Sequence, residues 1–204
     1  MPRARRFIQP QAVYHLIARF VAGEWFIRTN EERAQYLRLL GLGLAGSDWR
    51  CLAFAIMSNH IHLGMLAGTE PLAGWMRDVH TPFAEWINRR QKRIGAVFTR
   101  GPKSHRVRPD GVARVIGYIH RNPVRAGLVS RPSDSDWTSH AAYLGLAEQP
   151  TWLDVAKGLE LSAFADAEQM DTWVRATSVD RADAQAALLD TPRGPGRPRT
   201  GNGV

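Results

Sequence analysis

Two kinds of hydrophobic pattern follow one another in the first 46 residues. Residues 12–19 (AVYHLIAR) mix β-branched and aromatic side chains and predict a strand. Thr29 and Glu32 have the spacing of a helix-capping box, and apolar residues then recur at helical spacing as far as Gly46. A strand followed by an amphipathic helix is therefore expected.

The same alternation continues along the next 76 residues. Apolar runs at 50–57 and 60–66 are separated by two polar residues and predict an antiparallel hairpin. A helix is expected to open at Pro71 and to end in a basic cluster. Residues 98–108 predict a short basic strand, and residues 110–122 a third helix with its apolar side chains inward.

The order strand, helix, strand, strand, helix, strand indicates an α+β, ferredoxin-like fold. In that fold the helices pack on one face of an antiparallel sheet, and the other face is left available for a ligand. Composition divides the chain into a basic domain at 1–145, an acidic helical extension at 146–190 and a disordered basic tail at 191–204.

Charge changes the functional picture because it is so unevenly distributed. Residues 1–145 hold 21 Lys and Arg against 10 Asp and Glu, a net of +11, whereas residues 146–190 hold 3 against 9, a net of −6. A basic body favours a polyanionic partner, nucleic acid above all, although many basic proteins bind nothing specific.

Cysteine usage and hydropathy indicate the cellular compartment of the protein. Cys51 is the single cysteine, so no disulfide framework exists and a reducing compartment is expected. The opening residues lack the apolar core of a signal peptide, and no apolar run reaches the length of a membrane span. The prediction is a cytoplasmic protein, associated with the nucleoid if it binds DNA, with no membrane contact and with monomer or homodimer left open.

Two histidines are the first candidates for chemistry. His60 and His62 are two residues apart on a predicted strand, so both imidazoles face the same side. Imidazoles on a rigid strand suit a divalent transition metal and leave positions open for oxygen ligands. A pair of this kind also arises by chance, and a satisfied structural pair is the alternative.

Tyr118 and Asn122 form the second candidate. They are four residues apart on the third predicted helix and hence share a face. This spacing could place a phenol nucleophile beside a third metal ligand. Alternatively, Tyr118 packs against the sheet with its hydroxyl satisfied, and Asn122 merely ends the helix before Pro123.

These two motifs together carry a family resemblance. M-S-N-H-I-H-L at 57–63, followed by Y-I-H-R-N-P-V-R-A-G-L at 118–128, resembles the HUH single-tyrosine transposases and, more narrowly, their REP-associated branch. V-Y-H at 13–15 and D-W-T-S-H-A-A-Y-L-G at 136–145 fit the same family, and the resemblance covers about residues 3–145. The chain departs from the family pattern after the first strand and around 98–104.

The resemblance implies a role for each motif residue. His60 and His62 match the metal-binding pair, Asn122 completes the site for Mg²⁺ or Mn²⁺, and Tyr118 matches the tyrosine that attacks DNA. The implied reaction cuts and rejoins single-stranded or hairpin DNA through a 5′-phosphotyrosine. Two other functions remain open: a non-catalytic, domesticated protein that binds repeat or hairpin DNA, and a metal-dependent hydrolase in which water replaces Tyr118 as nucleophile.

Other basic residues could neutralise DNA phosphates, and Trp75 or Trp86 could stack on bases, with core packing as the alternative for both tryptophans. The sequence P-G-R-P-R at 195–199 resembles an AT-hook, with a plain basic tail as the alternative. The predicted DNA contacts are Arg89, Arg90, Lys92, Arg93, Arg100, Lys103, Arg106, Arg108, Arg197 and Arg199.

Overall fold

A computed structural model of the chain describes residues 8–99, 101–177 and 180–189. The strands are β1 (Val13–Arg19), β2 (Arg50–Ile56), β3 (His60–Leu66) and β4 (Lys103–Arg106). The α-helices are α1 (Asn30–Ala45), α2 (Leu72–Arg90), α3 (Val112–His120), α4 (Asn122–Arg125), α5 (His140–Tyr143), α6 (Val155–Leu161), α7 (Ala167–Ala176) and α8 (Arg181–Ala186).

The four strands form one antiparallel sheet in the order β2-β3-β1-β4. This order places β1 between β3, with which it pairs along all of its residues, and the short strand β4. It is the order of a ferredoxin-like βαββαβ unit, so the predicted fold class is confirmed.

The first face of the sheet carries α1 and α2. Tyr36 and Leu40 of α1 and Phe83 of α2 are fully buried against Leu16 and Leu63 from the central strands. The start of α1 is fixed by the predicted capping box, in which Thr29 and Glu32 bond each other's backbone N–H groups. Burial of these large side chains is the main stabilising contribution on this face.

The second face is more covered than the sequence suggested. Helix α3 crosses β2 and β3, and a Cβ atom at Gly64 would lie only 3.3 Å from Cδ1 of Ile119. Met170 and Val174 of α7 and Ala184 of α8 join the same apolar cluster. The expectation of a face left available for a ligand therefore holds only in part, because the third helix and the acidic segment pack onto it.

Some sequence predictions concern residues whose structure is not described. The tail at 191–204, which the sequence predicts to be disordered and which carries Arg197 and Arg199, lies outside the described ranges, as does Arg100. Division of the chain at residue 145 stays a prediction. Within the described ranges, none of the helices combines the length and the apolar character needed to cross a bilayer.

Candidate active site

His60 and His62 share the second face, as their alternation predicts. In the β1–β3 ladder His60 lies opposite Arg19 and His62 opposite Ile17, while Ile61 between them is buried on the first face. The two imidazole centroids are 4.7 Å apart and nearly perpendicular. The β1–β3 ladder fixes the backbone positions of both residues, so the strand sets the spacing of the two imidazoles.

Helix α3 brings Tyr118 to this pair. The centroid of the Tyr118 ring lies 5.6 Å from that of His62 and 5.9 Å from that of His15, and both contacts are edge-to-face. Tyr118 is 8% exposed. Among the described residues its hydroxyl has no hydrogen-bond partner, whereas the buried Tyr143 donates to the carbonyl of Leu52 at 2.6 Å. Tyr118 thus packs through its ring, and no other described residue holds its hydroxyl.

Asn122 reaches the same place through the break between α3 and α4. Pro123 has no N–H for the carbonyl of Ile119, and the Nδ2 of Asn122 donates to the carbonyl of Tyr118 at 2.8 Å and weakly to that of Ile119 at 3.5 Å. With Nδ2 engaged, Oδ1 is the atom left to act as a ligand, and Asn122 lies close enough to His60 to influence the pKa of its imidazole. Asn122 therefore ends the helix and faces the histidines as well.

The second nitrogen of each histidine is already held. His60 Nδ1 lies 2.5 Å from Oδ1 of Asn59, and His62 Nδ1 lies 2.8 Å from Nε2 of His15. A carbonyl oxygen can only accept, so Nδ1 of His60 carries the proton and its Nε2 keeps the lone pair. If His15 accepts from His62 in the same way, both Nε2 atoms are available as ligands, which is how metal-binding histidines are usually oriented.

The three imidazoles are neutral near pH 7 for a physical reason. Burial lowers the pKa of His60, as do Arg19 and Arg125, against the opposing effect of the Asn122 hydrogen bond. Burial, followed by the nearby His15 and His60, holds the pKa of His62 well below its usual range. Burial also lowers the pKa of His15 to about 3. Neutral imidazole is the form that binds a metal.

These side chains line one cavity of about 400 Å³. Four cationic side chains, Arg19, Lys103, Arg125 and Arg181, border it, and no Asp or Glu is among the described residues that line it. Such a lining attracts an anion, and a phosphate fits both the charge and the size.

Arg125 is one of three cavity arginines that sequence reasoning missed, with Arg19 and Arg181. Its guanidinium carbon lies 4.7 Å from the centroid of the Tyr118 ring, within the range of a cation–π contact. It follows Tyr118 by seven residues, two helical turns, and this spacing was a signal that could have found it. His15 also borders the cavity, and its Nε2 lies 2.8 Å from Nδ1 of His62.

The predicted DNA contacts are scattered. Lys103 borders the cavity, Arg106 is half-buried in β4, and Arg89 and Lys92 are exposed at the end of α2. Three others are in ion pairs, which are Arg90–Glu31 at 2.7 Å, Arg93–Glu24 at 3.5 Å and Arg108–Asp110 at 2.8 Å. Trp75 is a core residue, and Trp86 packs half-buried against the same core.

The donor set fits a divalent ion with open coordination positions. Within the described ranges no group of three or more His, Cys, Asp or Glu side chains could hold a metal. The candidate protein ligands are the two imidazoles and the amide oxygen of Asn122. Such a set leaves room for phosphate oxygens, and its oxygen ligands suit Mg²⁺ or Mn²⁺.

The sequence matches no protein-family model and no curated protein. Among solved structures it is similar to a REP-associated tyrosine transposase bound to a REP hairpin, with a TM-score of 0.59 and 15% sequence identity. The match covers 76% of this chain and 93% of the other. At this identity, what the two proteins are shown to share is the fold.

Proposed function

We propose that this protein is a metal-dependent single-tyrosine DNA nuclease and transposase that acts on single-stranded or hairpin DNA. The observation that carries the proposal is the meeting of Tyr118, His60, His62 and Asn122 in one cationic cavity. One strand, β3, and two consecutive helices, α3 and α4, from separate parts of the chain supply these groups. The fold shared with a transposase bound to a REP hairpin supports the same conclusion.

The chain's own groups account for binding and nucleophilic attack. The Nε2 atoms of His60 and His62 and the Oδ1 of Asn122 would hold the divalent ion, which supplies charge stabilisation to the scissile phosphate. The Tyr118 oxygen attacks phosphorus, forming a phosphotyrosine bond as the bond to the departing 3′ oxygen breaks. One proton leaves the phenol and one is taken up by the 3′ oxygen. Because one phosphodiester replaces another, religation needs no added energy source.

Arg125 is placed to assist this exchange. Its positive charge lies over the ring of the nucleophile and borders the space that the phosphate would occupy. Negative charge that develops on the phenolic and phosphoryl oxygens is stabilised by such a preplaced cation. An enzyme of this kind would work on DNA in the cytoplasm, at the nucleoid.

The test is the covalent adduct itself. Hairpin oligonucleotides with single-stranded flanks are incubated with the protein and Mn²⁺ or Mg²⁺, and adducts are resolved on a denaturing gel. The wild type is expected to form an adduct and Tyr118→Phe none. Tyr14→Phe, a buried tyrosine that accepts from the Gln9 N–H, is the matched control and is expected to keep it. An adduct that persists in Tyr118→Phe refutes the assignment.

A second candidate function is DNA binding without catalysis, because the four cations around the cavity attract phosphate whether or not a metal is present. Under it, the wild type gives no adduct and His60→Ala leaves DNA affinity unchanged. A third outcome, cleavage that persists in Tyr118→Phe and stops in His60→Ala, would identify water as the nucleophile.

A further inference from the structure

A line of buried polar groups runs behind the turn that carries Tyr118 and Asn122. The Phe54 N–H donates to Ser139 Oγ at 3.0 Å, and Ser139 Oγ lies 2.8 Å from His120 Nε2. His120 Nδ1 lies 3.0 Å from His140 Nδ1, and His140 Nε2 lies 2.9 Å from Asp171 Oδ1. The line therefore joins β2 to α3, α5 and finally α7.

With two neutral imidazoles, only one proton arrangement satisfies every contact in this line. The Asp171 carboxylate can only accept, so His140 carries its proton on Nε2. His140 Nδ1 must then accept from the Nδ1–H of His120, and His120 Nε2 accepts from the Ser139 hydroxyl. Ser139 Oγ in turn accepts the Phe54 N–H. The identity of the residue at 171 thus fixes the tautomer of both histidines.

The line cannot itself perform chemistry on a substrate. Ser139, His120 and His140 are fully buried at 0% exposure, so no substrate reaches the serine or either ring. Its members instead tie four elements together, and a fully satisfied buried network of this kind favours one well-defined packing. Its effect is therefore to be sought in the position of α3.

Helix α7 contacts α3 on both sides of Tyr118. Gly117 packs so closely on Trp173 that an added Cβ atom would lie 2.8 Å from Cζ3 of the indole. On the other side, Arg121 Nη1 donates to the carbonyl of Val174 at 2.8 Å. Together with the line from Asp171 to His120, these contacts attach residues 117, 120 and 121 to α7.

We propose that Asp171 is a positioning residue for the nucleophile. Through His140 and His120 it locks the helical turn between Tyr118 and Asn122 onto α7, so that the phenol and the amide meet the two sheet histidines at a fixed distance. This assigns a role to the acidic segment, and it rests on the proposed function. Since misplacement by about 1 Å can cost 100-fold in rate, a loosened turn is expected to slow the chemical step and spare DNA binding.

The experiment replaces the acceptor and retains everything else. Asp171→Leu removes the oxygen that holds His140, Asp171→Asn keeps an acceptor oxygen, and Arg175→Gln removes only the ion pair of 2.9 Å on the other carboxylate oxygen. Single-turnover adduct formation is measured at saturating hairpin DNA with Mn²⁺, together with the Kd for the same DNA. We expect Asp171→Leu to be at least ten-fold slower at an unchanged Kd, and both other variants to stay within about three-fold of wild type.

A rate for Asp171→Leu within two-fold of wild type overturns the proposal, as does an equal loss in Asp171→Asn. If Asp171→Leu fails to fold, a second pair tests the same contact. Gly117→Ala pushes α3 away from Trp173 and is expected to slow adduct formation, and Trp173→Leu in that background is expected to restore it; no slowing in Gly117→Ala contradicts the proposal.

Hydrogen exchange separates this inference from the proposed function. Amides of residues 115–122 are expected to exchange faster in Asp171→Leu than in Arg175→Gln, whether or not DNA is cut. A wild type without adduct refutes the nuclease assignment alone. Equal exchange in both variants refutes the positioning role alone.

Discussion

His15 lies behind His62, and its loss should weaken metal binding without removing a ligand. It is 2% exposed, its Nε2 lies 2.8 Å from His62 Nδ1, and the two rings are stacked with centroids 4.9 Å apart. In His15→Ala, His62 keeps its place on β3, but its Nδ1 loses the partner that orients the ring and keeps Nε2 toward the cavity. The perturbation is therefore confined to a contact one step removed from the proposed ion.

Two independent magnitudes agree on the size of the effect. Loss of a residue that orients a metal ligand typically weakens metal binding about 10–100-fold, which corresponds to about 1.4–2.8 kcal/mol. A buried N–H left without an acceptor costs roughly 1–3 kcal/mol. We accordingly expect the Kd for Mn²⁺ to rise 10–100-fold in His15→Ala, and by less than about three-fold in His15→Gln, whose amide oxygen can replace the acceptor.

The assay is titration of the purified protein with Mn²⁺, followed by calorimetry or by electron paramagnetic resonance of the free ion. Circular dichroism at the same temperature shows whether each variant is folded. His62→Ala sets the scale for loss of a ligand. If folded His15→Ala binds Mn²⁺ as tightly as wild type, the orienting role of His15 and the assignment of His62 as a ligand through Nε2 are both wrong.

Three further predictions follow from other parts of the molecule. Burial lowers the pKa of His80 from 6.5 to about 3, so its contribution to the free energy of unfolding is complete above pH 6.5 and is lost as the pH falls toward 3. In chemical denaturation, the free energy of unfolding should fall between pH 7 and pH 5 by up to about 2 kcal/mol more in wild type than in His80→Gln. An alanine at Gly158 would overlap the Tyr143 hydroxyl, so Gly158→Ala should lower the unfolding free energy by about 1–3 kcal/mol in the same assay, and Tyr143→Phe should relieve part of the loss. With four cations at the cavity, the slope of log affinity for single-stranded DNA against log salt concentration should be about −3, measured by fluorescence anisotropy. The slope should be shallower by about 0.7 in Arg125→Gln, and a flat response contradicts a phosphate-binding cavity.

Much of the fold could be predicted from the sequence because its signals are local. The apolar run at 60–66 located β3 at His60–Leu66, and the capping box of Thr29 and Glu32 located the start of α1. Placement of His60 and His62 on one face needs only strand geometry, and the shared face of Tyr118 and Asn122 needs only one helical turn. Each of these relations spans a few residues, over which backbone geometry is fixed.

Other parts of the candidate site depend on contacts that local patterns do not encode. His15 meets His62 because β1 pairs with β3 in one register, 47 positions away in the chain. Asp171 reaches His140 because the acidic segment folds back over the second face, which composition alone presented as a separate piece. Outside the site, the predicted DNA contact Arg90 is also decided by packing, since its ion pair with Glu31 forms only when α1 and α2 lie side by side.

The sequence by itself determined the types of element, the two motifs and the face on which each motif lies. Tertiary structure decided that the motifs meet, which residues orient them and which cations surround them. The physical reason is range: helix and strand periodicities act over one or two turns, whereas strand order, register and the docking of α7 are settled by packing of the whole chain.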